Sequence, residues 1–312
     1  MELLRSASKP YSLREQWELF NFSRRHDLLH VPHFNIPVFG AKKLVVTVHD
    51  LIYLKDKRYS ASGLGRAYVR MMFKKIEKKA DAVLTVSEYT KADLLHSFPG
   101  LRGRVFVTYE GASALFRPIH DREELRRIQN KYSLHPPFVL FVGSLKSHKN
   151  VSVLIEAMAA LKNEKRSEQE LVLVGRKDEK EKGLLALIRK NSSFVKTLGE
   201  VSDEDLAVLY NLAEVFVLPS LWEGFGLPAL EAMACGTPVL SSDRSSLPEV
   251  VGQAGSLFDP TRVDALKELL YTVLESRPLR EKMSEMGLVQ AKKFSWDKTA
   301  DSTLDVYERV LG

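Results

Sequence analysis

The stretch that most constrains this chain is Val217–Leu240, which reads VLPSLWEGFGLPALEAMACGTPVL. It is entered through Glu214-Val215-Phe216-Val217-Leu218, short and β-branched enough for a buried parallel strand. Pro219 and Ser220 stop that strand, and Glu223-Gly224-Phe225-Gly226 forms a glycine-hinged loop. Pro228 sits where a helix begins, and Gly236 sits where it should end. Thr237-Pro238-Val239-Leu240 opens the next strand. Strand, glycine loop, helix and strand make one βαβ unit, whose functional edge is the carboxyl end of its strands.

Two glycines flanking Phe225 let backbone N–H groups turn toward a ligand that approaches closely. The start of the following helix adds unpaired donors and partial positive charge, which suits a phosphate or diphosphate. Glu223 in the loop and Glu231 on the helix have seven residues between them. Each carboxylate accepts paired hydrogen bonds, so two around one crevice can each hold a vicinal diol. A diphosphate between two diol-bearing rings is a nucleotide sugar. An ordinary βαβ loop, with Glu223 solvated and Glu231 on a helix surface, fits the same spacing.

The run Pro219–Val239 closely resembles the Glu-seven-Glu signature of family-4 retaining glycosyltransferases. That resemblance implies an α/β chain of the GT-B class, with two Rossmann-like domains facing across a cleft. It implies that Glu223 meets the donor hexose and supports catalysis, while Glu231 holds the nucleotide ribose. The segment Gly224, Phe225, Gly226 and Leu227 would then meet sugar and phosphate through its backbone.

Other stretches extend the likeness. Leu44–Val48 reads as a strand with His49 and Asp50 at its carboxyl end. Spacing alone favours a capping or packing role for His49, whereas Thr47–Leu51 resembles the family strand whose histidine approaches the donor sugar. Phe138–Gly143 and Leu171–Gly175 read as buried strands ending in glycine turns. By the resemblance Gly143, Ser144 and Arg176 line the donor, and Leu198 and Val201 cup the nucleobase. Family members carry arginine at the Ser144 position and lysine at that of Lys149. Here Lys149 alone keeps its charge, with Lys146 and His148 as candidates to compensate. The family reaction implies no metal and no cofactor, only a UDP- or GDP-linked sugar. His33-Phe34-Asn35-Ile36-Pro37 resembles the mannosyltransferase-like branch.

Domain organisation is expected as a first Rossmann-like domain over 1–117 and a donor domain over 118–294. A C-terminal helix over 295–312 is expected to pack back on the first. Family members begin with a strand and glycine-rich loop that the resemblance does not find ahead of Pro10–Leu13. The first domain is therefore expected to look shortened. An open sheet edge would invite a second copy, hence a homodimer.

Charge divides the chain as well. Met1–Arg117 holds 20 Lys and Arg against 11 Asp and Glu, within an overall net charge of +6. That half suits an anionic acceptor or an anionic membrane surface, and equally the solvated face of a soluble enzyme. Between Tyr59 and Lys79, Arg66, Arg70, Lys74, Lys75, Lys78 and Lys79 give an amphipathic helix its basic face. No recognised module argues for nucleic acid. The single cysteine, Cys235, cannot form an internal disulfide and fits a reducing cytoplasm, with the inner membrane face as a peripheral location.

The reading is a retaining hexosyltransferase acting on a glycan, lipid or small-molecule acceptor. Its rival is a nucleotide-sugar-binding protein without transfer, owing to the shortened front. An NAD enzyme is disfavoured because no strand is followed by Gly-x-Gly-x-x-Gly.

Overall fold

A computed structural model describes residues 2, 4, 8, 12–55 and 63–312, which form two compact units. The first comprises Met1–Glu110 and Asp297–Gly312, and the second Gly111–Trp296.

The first unit holds a parallel sheet of β1 (Leu28–Val31), β2 (Lys43–Val48), β3 (Ala82–Thr85) and β4 (Val105–Val107), in that spatial order. Strand side chains alternate between faces, and the two cores follow that alternation. Leu44, Val46, Val48 and Val83 join the core shared with Val69, Met72, Phe73 and Ile76 of the helix Gly63–Lys79. Val45, Ala82 and Leu84 point the other way, onto Val306 of the C-terminal helix Trp296–Leu311. A half-buried polar chain ties that helix down: His30 on β1 contacts the Tyr307 hydroxyl through Nδ1 and Thr47 Oγ1, at 2.8 Å, through Nε2. Desolvation pushes the His30 imidazole down to about 4, so the ring is neutral at ordinary pH. Residues 59–62, expected to open the basic helix, and the Pro10–Tyr11 pair lie outside the described residues.

The second unit is doubly wound. Its strands are β5 (Phe138–Val142), β6 (Glu170–Val174), β7 (Val195–Gly199), β8 (Val215–Leu218), β9 (Val239–Ser242) and β10 (Ser256–Phe258). They are parallel and ordered β10-β9-β8-β5-β6-β7. The chain builds outward from β5 to β7, then returns to lay β8 on the other side of β5. The sheet therefore switches direction between β5 and β8, and a doubly wound sheet binds its ligand outside the carboxyl ends at that point. Every residue of β5 and β8 is buried, as a central parallel strand covered on both faces requires.

The junction falls at Glu110 rather than at Arg117. Gly111–Arg117 belongs with the second unit because Asn211 holds it there. The Asn211 amide donates to the Arg117 carbonyl at 3.0 Å and accepts from Ile119 N at 2.8 Å. The Phe116 ring also meets Tyr210 edge-on, with centroids 5.8 Å apart. Among the described residues, no helix is long and apolar enough to cross a membrane.

Candidate active site

The loop leaving β5 and the loop leaving β8 are neighbours because their strands are. Gly143 turns the first of them at φ +151°, and Gly175 turns the chain after β6 at φ +132°. These two turns abut: a Cβ on Gly175 would lie 2.1 Å from the Gly143 carbonyl oxygen, so only glycine fits. Gly143 N donates to Val174 O, and Leu145 N to Arg176 O, both at 2.9 Å, zipping the two loops together. Ser144 is half-buried in this turn and Arg176 is exposed beside it. A short 3-10 turn, Ser147–Lys149, then delivers Lys149.

Lys149 Nζ reaches Glu223 at 2.6 Å from Oε1 and 2.8 Å from Oε2. Both side chains are nearly buried, at 14% and 10% exposure, so the pair works in a medium less polar than water. Ser220 Oγ donates to the same carboxylate at 2.7 Å. Glu223 is thus neither a solvated loop residue nor free to swing.

Its backbone is held just as closely. Ser245 Oγ accepts from Glu223 N at 3.0 Å, and the fully buried Ser246 Oγ lies 3.1 Å from Glu223 O and 2.9 Å from Phe225 O. The Phe225 ring is buried against Phe294, edge-on at 5.6 Å between centroids, so this residue anchors the loop while its backbone stays in it. Gly226 takes φ +107° and starts the helix Leu227–Ala234, with Pro228 in the first turn. In the sequence Ser245-Ser246-Leu247-Pro248-Glu249-Val250 resembles the usual closing of the family's nucleotide domain, which assigns these two serines no role. Their function follows from the position of β9 beside β8.

Glu231 sits one turn into that helix, half-buried, and accepts from the Tyr210 hydroxyl at 3.0 Å. Desolvation raises its carboxyl to about 7, against the lowering effect of Tyr210. The same burial pushes the Cys235 thiol up to about 12, leaving an inert apolar side chain. Leu198 and Val201 flank the carboxyl end of β7, where Gly199 O accepts from Gly175 N at 2.7 Å.

His49 lies in the first unit, at the carboxyl end of β2. Its Nδ1 is 3.2 Å from Glu110 Oε1 and its Nε2 is 3.3 Å from Pro32 O. Two acceptors around one ring favour the doubly protonated form, and the Glu110 hydrogen bond raises its pKa above the ordinary value.

Residues 121–289 match the family described as glycosyl transferases group 1, and residues 2–113 match glycosyltransferase family 4. The chain belongs to the group 1 and family 4 glycosyltransferases. It is 33% identical over 300 residues to the O-antigen chain mannosyltransferase B of Escherichia coli, covering 95% of this chain and 77% of that protein. It is 32% identical over 288 residues to a serotype-specific mannosyltransferase, WbdA, of the same species, covering 90% of this chain but 35% of the relative. The Anabaena protein HepE, crystallised with UDP and glucose, superposes with a TM-score of 0.79 at 18% identity, covering 95% of this chain and 81% of that one. The two-unit parallel fold of this glycosyltransferase is that of the GT-B class.

Proposed function

We propose that this glycosyltransferase moves a mannosyl group, with retention of configuration, from a nucleotide-diphosphate sugar to a saccharide acceptor of polysaccharide synthesis. The observation that carries the proposal is the Lys149–Glu223 contact at the β5/β8 switch point. Mannose is supported by the activities for which the two mannosyltransferases, 33% and 32% identical to this chain, are named. A GDP-linked donor is the first to test.

In the proposed step, the bond between the sugar's anomeric carbon and the diphosphate oxygen breaks. A bond to the acceptor oxygen forms on the same face. The departing diphosphate gathers negative charge and takes the acceptor's proton. Stabilising that charge is the largest electrostatic demand of the reaction. Lys149 supplies a cation held in place beforehand, and the start of the helix Leu227–Ala234 adds its partial positive charge. Glu223 is assigned the hexose hydroxyls, and Glu231 the ribose diol. Ser144, Arg176, Leu198 and Val201 complete the proposed donor wall. The reaction so written draws on no metal and no cofactor.

The test is nucleotide release from GDP-mannose, UDP-glucose and ADP-glucose, with and without oligosaccharide acceptors, in the native chain and in Glu223→Ala. Release from GDP-mannose that is lost in Glu223→Ala is expected. Preference for UDP-glucose would overturn the mannosyl assignment. Saturable donor binding without release under any acceptor would instead favour a binding protein.

A further inference from the structure

The basic helix of the first unit is not absorbed by the donor site. Arg66, Arg70 and Lys74 are spaced four residues apart on the helix Gly63–Lys79, so they line one face of it. That face forms a wall of a cavity of about 800 Å³, closed on the far side by the end of the helix Glu88–Ser97 with His96. Lys55 stands at its rim, already paired with Asp93.

The charge around this cavity is lopsided. Among the described residues that line it the acidic one is Glu77, whose Oε1 accepts from the backbone N–H of Gly100 at 2.9 Å. Arg66, Arg70 and Lys74 make no ion pair or hydrogen bond among the described residues, whereas Lys42, Lys43, Lys55 and Lys91 in the same unit each find a carboxylate. Like charges four residues apart repel along a helix, and a bound anion removes that repulsion. Three cations lining one concave surface suit a phosphate oxyanion, which takes charge-assisted hydrogen bonds from Arg and Lys.

We infer that this cavity is a second anion site, holding the phosphate or diphosphate group of a discrete ligand. About 800 Å³ lies within the roughly 300–1,000 Å³ range of small-ligand pockets, and the three cations line it. The site stands apart from the proposed donor site, because every described residue that lines it belongs to the first unit.

The experiment is calorimetric titration of inorganic pyrophosphate into the full chain carrying Lys149→Ala, so that the donor lysine contributes nothing. Saturable binding is expected, weakened about tenfold or more by Arg66→Gln, Arg70→Gln and Lys74→Gln together. Arg70→Lys, which keeps the charge, should retain most of it. Circular dichroism, together with donor release measured in the triple variant with Lys149 intact, verifies that the fold survives. No saturable binding, or binding unchanged in the triple variant, overturns the inference. A second arm uses phosphatidylglycerol vesicles. Vesicle binding that depends on these three cations, without any pyrophosphate response, would make the face a membrane contact and overturn it too.

Discussion

Lys149 and Glu223, 74 residues apart in the chain, meet as a two-pronged ion pair with Nζ 2.6 and 2.8 Å from the carboxylate oxygens. In the proposed donor site the pair would supply charge and geometry at once, so the two residues are expected to act as a unit. Glu223→Ala is expected to lower nucleotide release by about 100-fold or more, and Lys149→Ala by a similar factor. The double variant should be far from the product of the two losses, because residues acting as a unit are not additive. Steady-state kinetics on the four chains checks this. Full additivity would mean that the contact has no part in turnover.

Ser246 is predicted to matter through the loop rather than through the ligand. Its hydroxyl, fully buried, stands against both the Glu223 and Phe225 carbonyls. Ser246→Ala leaves those groups short of a partner and should cost about 1–3 kcal/mol of stability. Urea unfolding measures that cost. A looser Glu223 should lower kcat more than it raises KM; an unchanged kcat with lowered stability would limit the serine to packing.

On the proposed assignment of Glu231 to the ribose, donor binding is expected to depend on pH. Its folded pKa, about 7, lies above the ordinary 4.5 because burial disfavours the carboxylate. Between those values the folded chain holds a proton that the unfolded chain has released. The group's contribution to stability therefore falls as pH rises across that window, by about 1.4 kcal/mol per pH unit. The ionised form is the better acceptor for a diol, so nucleotide affinity should rise between pH 6 and 8. In Glu231→Gln the rise should vanish. Calorimetric titration at three pH values decides it, and an identical slope in the variant would remove Glu231 from the nucleotide.

His49 should titrate above its ordinary pKa of 6.5, chiefly through its hydrogen bond to Glu110. A raised imidazole pKa stabilises the fold below 6.5, and that contribution is lost as pH climbs through the folded value. Half the ring is exposed, so the effect on stability is small. Proton NMR titration of His49 in Glu110→Gln should show the pKa falling back. His49→Ala, assayed for donor release, tests the sugar contact that the family resemblance implies.

The signature stretch was legible because its information is local. Apolar runs, Pro228 and the two glycines specify strand Val215–Leu218, helix Leu227–Ala234 and strand Val239–Ser242 within about thirty residues. Ser12 caps the helix Leu13–Arg25 through Glu15 N, and the strand Ala82–Thr85 stops just before Ser87, which caps the next helix through Thr90 N. The contacts of Ser245 and Ser246 were not legible for the opposite reason: their partners lie 21 to 23 residues upstream and are backbone atoms, which carry no residue signature.

By itself, then, the sequence determined the βαβ periods, the glycine turns, the basic helix and the two signature carboxylates, each encoded by neighbours along the chain. Tertiary structure alone decided that β8 returns to lie beside β5, which sets Lys149 against Glu223. It also decided that Tyr210 covers Glu231 and that three cations of the first unit share a cavity. Strand order is fixed by which apolar faces bury one another across the whole sheet, and no period of two or 3.6 residues records that choice.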